Sequence, residues 1–348
     1  MRSALRSALL GLSALTLAAA APLAVEARPF TARDMQSLDR VSDPRLSPDG
    51  QWVVYQVRVA DIEANRGRTS LWIMPAGGGE ARQLAATVEG ASSPRWVGQH
   101  IYFASSRGGS SQVWRTDAQG ATATQVTNLP LDVGSFSVTP DEGRIVVSLA
   151  VFPDCETVAC TVERTAATAA RKTTGVVYDE LFIRHWDAWA DGTRNHLFSA
   201  PLDASGAAGP LVRMTPGFDG DTPSKPFGGD EEWTFTPDAR SLVFSARVAG
   251  RIEPTSTNFD LFRAPLDGSA APENLTEANL AWDTGAAYSP DGRWMAYRAM
   301  KRPGFEADRY AIMLRDVATG QTRELAADWD RSADDIKWSP DGRTIYAL

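Results

Sequence analysis

The sequence predicts an all-β fold: a β-propeller of four-stranded antiparallel blades, about five and a half of them, with a short helical insertion in the third. Three observations predict it. First, the turn Ser47-Pro48-Asp49-Gly50 returns as Ser289-Pro290-Asp291-Gly292 and Ser339-Pro340-Asp341-Gly342. Looser copies stand at Thr139-Pro140-Asp141 and Thr236-Pro237-Asp238, and a worn copy at Ser93-Pro94-Arg95. The prolines at 48, 94, 140, 237, 290 and 340 are 46, 46, 97, 53 and 50 residues apart. A period of roughly 40 to 50 residues marks a blade array or a solenoid, and the longest step is one period plus an insertion. Second, each turn is followed by a β-branched and aromatic run that is apolar at successive positions. Such a run is a strand with both faces buried. Third, a second apolar run follows each of these, and then a short polar strand. With the strand before the turn, that makes four strands per period. Blades stacked face to face bury inner strands on both sides.

Taken in order, Thr31 to Leu38 is a short segment of one or two helical turns capped by Thr31. The first blade runs from about Asp43 to Ala85 and contains Trp52–Val57 and Leu71-Trp72-Ile73-Met74. The second runs from Ser92 to Thr127, with Ile101–Ala104 as its inner strand. The third starts at Phe136, carries Ile145–Leu149, breaks off after Phe152 and resumes over Arg184 to Pro201. Within its insertion, spanning about residues 153–175, the Ala-, Thr- and Arg-rich stretch Glu156 to Lys172 suits a helix. Pro216 to Gly229, dense in Gly, Pro and Asp, is a loop. The fourth blade follows from Trp233 to Leu275 with Leu242–Ala246, and the fifth from Ala286 to Leu325 with Trp294–Tyr297. A sixth begins at Asp335, and the chain stops at Leu348 inside its first long strand. A closed ring leaves no blade face or strand edge exposed, so the expectation is that residues 28–348 are an incomplete propeller.

The N-terminal residues are expected to lie outside the fold. Arg2 and Arg6 precede an uncharged apolar stretch from Leu9 to Ala21, and small residues Val25 and Ala27 follow Pro22. That is a secretory signal peptide over residues 1–27, cut after Ala27. The mature protein is then exported, periplasmic or secreted, and not held in a membrane. The charge sum of 35 basic and 43 acidic residues is spread without a basic run, which argues against a nucleic-acid partner. Cys155 and Cys160, the only cysteines, fit a small disulfide in an oxidising compartment, with no histidine close enough in sequence to complete a zinc set.

The search for chemistry is mostly negative. There is no Gly-x-Ser-x-Gly elbow, Walker loop, dinucleotide fingerprint or His-Glu-x-x-His helix, and no cofactor is expected. Of the three histidines, His100 sits in a turn before a strand, and its bland reading is solvated polarity. His196, at the start of a strand, is read as structural. The aspartates of the repeated turns, Asp49, Asp291 and Asp341, cap their own turns rather than bind a metal.

One stretch is richer than a propeller needs: Tyr178 to Gly192, with Tyr178, Phe182, His185, Trp186 and Trp189 beside Arg184 and four acids. As packing, it is a hairpin tucked between blades, with Arg184 paired to an acid and the tryptophans as core. As function, it is a wall of the channel or of an interface above it. The candidate substrate-binding residues are Glu180, Arg184, Trp186, Asp187 and Trp189. An acid there, Asp187 or Glu180, suits a cationic group, and Trp186 or Trp189 suits an apolar one.

Arg184-His185-Trp186-Asp187-Ala188-Trp189, followed by Asn195-His196-Leu197-Phe198, together with Ser256-Thr257-Asn258-Phe259-Asp260-Leu261 and the Ser-Pro-Asp-Gly blades, resembles the prolyl oligopeptidase family. Within it, the dipeptidyl-peptidase and acylaminoacyl-peptidase branch is the nearest match. The resemblance covers residues 30 to 348, and the blade motif is its least specific part. It implies a propeller that gates a C-terminal α/β-hydrolase domain holding the serine, aspartate and histidine of the triad. That domain is absent from this chain, so no catalytic residue carries over and the chain alone is expected to be inactive. The implied partners are a peptide substrate and that hydrolase domain. The implied reaction releases dipeptides or acylated residues from peptide N-termini. The competing reading is a non-enzymatic periplasmic propeller acting as a protein-binding scaffold.

Overall fold

A computed structural model describes residues 28–348 of the chain. The expected signal peptide lies outside the described residues. Two units are described separately: the segment to Leu38, and Asp39–Leu348.

In the first unit, α1 spans Ala32–Ser37 behind the N-cap Thr31. The Thr31 hydroxyl accepts from the Asp34 amide (3.2 Å), and the Asp34 carboxylate accepts from the Thr31 amide (2.8 Å). Two of the free N–H groups at the helix start are thereby satisfied.

The second unit is a run of antiparallel sheets, one per repeat. Blade 1 contains Arg40–Leu46, Trp52–Asp61, Arg66–Pro75 and Arg82–Gln83. Blade 2 contains Ser92–Val97, His100–Ser105, Gln112–Asp117 and Thr124–Gln125. Blade 3 contains Phe136–Val138, Arg144–Val151, Arg194–Pro201 and Val212–Arg213. Blade 4 contains Trp233–Phe235, Ser241–Ala246, Asp260–Pro265 and Glu273–Asn274. Blade 5 contains Asp283–Tyr288, Trp294–Ala299, Ala311–Asp316 and Thr322–Leu325. The two-stranded sheet of Ile336–Trp338 and Ile345–Ala347 follows.

The core is distributed over the seams between successive sheets. Val54, Leu71 and Ile73 of blade 1 meet Ile101 and Phe103 of blade 2. Tyr102 and Val113 face the other way, onto Ile145, Val147 and Phe198 of blade 3. Val146 and Leu197 face blade 4 through Leu242, Phe244 and Phe262. Val243 and Leu261 continue to Met295 and Tyr297, and Ala296 and Ile312 to Ile336. Neighbouring residues of one strand thus serve opposite seams, which is why these strands are apolar at every position rather than at alternate ones. The inner strand of blade 1 is the exception. Val54 and Val57 are buried, while Trp52 is exposed and Val53 and Tyr55 half-buried.

The repeated turn has one hydrogen-bond design. In blade 5 the Ser289 hydroxyl donates to Asp291 (2.6 Å) and accepts from the Trp294 amide (2.9 Å), while Asp291 also accepts from the Arg293 amide (3.0 Å). The Ser47, Thr139, Thr236 and Ser339 turns repeat it. The Ser289 and Ser47 hydroxyls hold the Asp291 and Asp49 carboxyls below their usual range. The fourth turn position is left-handed, with Gly50, Gly292 and Gly342 at φ of 69°, 71° and 67°.

The worn copy Ser93-Pro94-Arg95 is a correction. It lies inside the strand Ser92–Val97, where the pairing register shifts and Ser93 has φ of 55°. Its counterpart is Asp43-Pro44-Arg45 of blade 1, which sits at the same kind of register shift with Asp43 at φ of 50°. Both are β-bulges in a first strand. The tight turn of blade 2 is Gly98-Gln99, between the paired residues Val97 and His100.

The insertion forms α2, Val158–Ala169, capped by Thr157. Cys155 and Cys160 are bonded, with α-carbons 5.6 Å apart. No helix of the described residues is long and apolar enough to cross a membrane.

Candidate functional site

The Ser/Thr-Pro-Asp turns join first to second strands. Second-to-third connections therefore leave each blade at the opposite end, where fourth strands also hand over to the next blade. The insertion at 152–193, the loop at 214–232 and the turn at 247–259 consequently share one face, and a cavity of about 650 Å³ opens among them.

Its roof is the hairpin of Arg184–His185 and Ala188–Trp189, a sheet separate from blade 3, whose third strand begins only at Arg194. Its floor is an ionic network. Arg194 binds Glu253 through both oxygens (3.0 and 2.8 Å), and also Asp221 (3.0 Å) and Asp219 (3.2 Å). Asp221 further accepts from the Asn195 amide at 2.7 Å. Burial works against the charge of Arg194, but Glu253 and Asp221 outweigh it and hold the guanidinium well above its ordinary pKa. Arg247 lies between Phe182 and Phe259, 5.9 and 5.0 Å from their ring centres, and donates to the Ser256 carbonyl (2.9 Å). Lys225 donates to the Thr193 carbonyl (2.7 Å).

Two acids at the site are more exposed than the others, although Asp219 also touches Arg194. The side chains of Glu180 and Asp219 are 59% and 58% exposed. Glu180 has only a 3.7 Å contact with the still more exposed Arg251. The site therefore offers carboxylate oxygens to solvent beside aromatic walls.

Of the residues singled out from the sequence, Glu180, Arg184 and Trp189 line the cavity. Trp186 does not: it is 71% exposed and packs edge-on against Phe227, 5.6 Å away. Asp187 is exposed and stands outside the lining. Arg184 donates to the Trp186 carbonyl (2.6 Å) instead of pairing with an acid, and Trp189 stacks on Tyr178 at the surface rather than in a core. The hairpin is thus not tucked between blades. His100 is also not merely solvated, since its Nδ1 lies 2.7 Å from Glu142. His196 is fully buried in its strand. Arg194, Asp219, Asp221, Arg247, Glu253 and Phe259 were not legible as a group, because they are scattered over 66 positions. The signals were Asp219 and Asp221 in the 216–229 loop and the Ser256–Leu261 stretch, which carries Phe259. Among the described residues no group of three or more His, Cys, Asp or Glu side chains is placed to hold a metal.

No family model matches the chain. Dipeptidyl-peptidase 5 of Porphyromonas gingivalis is 27% identical over 324 residues, covering 90% of this chain and 45% of the relative. Dipeptidyl-peptidase 5 of Porphyromonas endodontalis is 28% identical over 291 residues, covering 82% and 40%. The dipeptidyl-peptidase 5 of Arthroderma otae is 26% identical over 338 residues, covering 91% and 46%. The chain spans less than half the length of these curated relatives. Among solved structures, an acylaminoacyl peptidase in complex with Z-Gly-Gly-Phe-chloromethyl ketone superposes with a TM-score of 0.61 at 16% identity, over 87% of this chain and 42% of that one. The β-propeller domain of the Trilobed protease from Pyrococcus furiosus gives 0.53 at 13% identity, over 86% and 75%. The fold is a β-propeller, and in sequence the chain is similar to part of the dipeptidyl-peptidases of the prolyl oligopeptidase type.

Proposed function

We propose that this chain is the propeller portion of an exported serine exopeptidase that removes dipeptides or acylated residues from peptide N-termini. The cavity beneath the 184–189 hairpin receives the N-terminal end of the peptide. The observation that carries this reading is the pairing of solvent-facing carboxylates, Glu180 and Asp219, with the aromatic walls Phe182, Trp189 and Phe259. A peptide N-terminus is an ammonium group next to a side chain. Carboxylates give it charge-assisted hydrogen bonds, and rings give the side chain apolar contact. Arg247 and Lys225 are held by backbone carbonyls, and Arg194 by Glu253 and Asp221, with the more exposed Asp219 at 3.2 Å. They fix the positions of the loops that carry the acids.

Acyl transfer by a serine needs a histidine as base and an acid to orient it. The two histidines with hydrogen bonds here use Glu142 and Thr215. In this reading the triad belongs to another part of the protein, an α/β-hydrolase domain facing the same end of the blades.

The test uses the complete gene product. Glu180→Gln and Asp219→Asn are each expected to lower kcat/KM by roughly 10-fold or more on dipeptidyl substrates with a free amine, and to spare acetylated ones. Asp187→Asn is expected to change neither. Equal loss on both substrate types, or none, would leave the cavity without this role. Peptide hydrolysis by residues 28–348 alone would overturn the assignment of the chemistry to another domain.

A further inference from the structure

Behind the cavity wall, the seam between blades 4 and 5 holds two carboxylates that no cation answers. Asp260 opens the third strand of blade 4 and Asp283 the first strand of blade 5. Asp283 is fully buried and Asp260 is 7% exposed. Each has one oxygen satisfied. Asn274 donates to Asp260 Oδ2 and Asn279 to Asp283 Oδ1, both at 2.8 Å. Asp260 Oδ1 and Asp283 Oδ2 are buried with no partner. The Thr276 hydroxyl stands within reach of both carboxylates, but it has one hydrogen to give, and its oxygen already accepts from the Leu261 amide (2.9 Å). The other titratable groups facing the pair are Glu277 from blade 4, and Tyr297 and Tyr310 from blade 5. Arg298 and Arg315 of blade 5 donate instead to the carbonyls of Asp334 and Leu275.

We propose that Asp260 and Asp283 hold one proton between them, and that its loss makes the blade 4–blade 5 seam, and with it the Phe259 wall of the cavity, sensitive to pH. The connection to the wall is direct. Phe259 precedes Asp260, and Trp282 precedes Asp283. The two rings stack with centres 4.1 Å apart and 13° between their planes. The Asp283 amide donates to the Phe259 carbonyl at 2.7 Å. With the proton present, one carboxyl supplies the donor that the orphaned oxygens lack. With the proton released to solvent, two like charges share a dry seam, where unpaired charge is costly. The relief available is separation of the strands that carry Phe259 and Trp282. Burial, foremost, pushes the Asp283 carboxyl up to about 7, and it raises Asp260 as well. The folded state therefore holds a proton that the unfolded chain releases near the ordinary carboxylate pKa. This contribution to stability is complete at acid pH and is lost as pH rises through the Asp283 value.

The test is amide hydrogen exchange over residues 257–261 and 281–285, corrected for intrinsic rates, with Tm measured in parallel. In the parent protein these amides are expected to exchange at least about 10-fold faster at about pH 8 than at about pH 5.5. Asp283→Asn replaces the carboxyl by an uncharged group of the same shape with donors of its own. Its seam is expected to exchange alike at both pH values, and its Tm advantage over the parent is expected to grow with pH. Asp260→Asn should do the same, and it serves if the first variant fails to fold. Parallel pH profiles for parent and variants would overturn the proposal. So would calcium raising the Tm of the parent at about pH 8 but not that of Asp283→Asn, because the charge would then be met by a cation and not a proton.

Discussion

Arg194 meets Glu253 at two points, Nη1 on Oε1 and Nη2 on Oε2, and so ties the start of the third strand of blade 3 to the short 3-10 turn Gly250–Thr255 of blade 4. That turn has no strand partner of its own. The two side chains are 20% and 14% exposed, so water replaces little of what is lost if one is removed. Removing one member of such a buried pair costs about 3–5 kcal/mol, because the other charge is left unanswered. Glu253→Gln is expected to fall at the lower end of that range in urea unfolding, since Asp221 still answers Arg194. Arg194→Lys recovers only part of the loss, because an ammonium cannot make the forked contact. The double change Arg194→Met with Glu253→Leu is expected to be milder than either truncation alone. Additive losses would mean that the pair is not coupled.

The turns predict a stabilising change. Ala239 holds the left-handed position of its turn at φ of 51°, where three other blades have glycine. An L-residue with a Cβ loses roughly 1 kcal/mol in that conformation. Ala239→Gly is expected to raise unfolding stability by about 0.5 kcal/mol at most, after the entropic cost of a freer unfolded chain. The converse, Gly292→Ala, meets a second obstacle: a Cβ there would stand 2.9 Å from Pro237 Cγ of the neighbouring turn. Its loss should exceed the gain at Ala239.

The contrast between turns and site explains what could be read in advance. Hydrogen bonds of the Ser-Pro-Asp-Gly turn are local, closing between residues two to five apart, so the motif announces its own structure. The inner strands announced themselves too, because Val146 and Val147 serve opposite seams and both must be apolar. Ser93-Pro94-Arg95 misled because proline and a small residue also suit a bulge, and only the pairing partner tells the two apart. The site is held by contacts such as Arg194 to Glu253, 59 residues apart, to which no local pattern points. Aromatic density pointed to the hairpin, but not to which of its residues turn inward: Trp189 lines the cavity and Trp186 does not.

Cys155 and Cys160 close a short loop at the start of α2. The Cys155 carbonyl accepts from Arg213 of the last strand of blade 3 at 2.7 Å. Closing a loop of this length restricts the unfolded chain by about 2 kcal/mol. Cys155→Ser with Cys160→Ser is expected to lower stability by about that amount, with faster amide exchange confined to residues 152–165. Exchange spreading into Arg144–Val151 would instead make the bond a support of the blade.

His196 supplies the acid side of the pH response. The ring is fully buried, with Arg213 Nη2 3.1 Å from its Nδ1 and the Thr215 hydroxyl 2.9 Å from the same atom. Arg213 has only hydrogens to offer that atom, and the Thr215 carbonyl, 3.1 Å from it, can only accept, while Nε2 is buried with no partner. A second proton would put a cation against a guanidinium away from water. Burial first, and Arg213 next, push the His196 pKa down to about 4. The unfolded chain takes up that proton near the ordinary histidine value, while the folded one refuses it until much lower pH. This contribution is therefore whole at neutral pH and is lost as pH falls towards the folded value, by about 3 kcal/mol at most. The trend is opposite to that of Asp283, and the two offset each other through the mildly acidic range. Stability of the parent protein, measured by urea unfolding across a pH series, is expected to vary little there. Asp283→Asn should expose a rise of stability with pH, and His196→Gln a fall. The comparison reads slopes, so a constant loss from disturbing the buried site does not obscure it. A His196→Gln slope equal to that of the parent would show that the imidazole takes up its proton equally readily in the folded and unfolded chain.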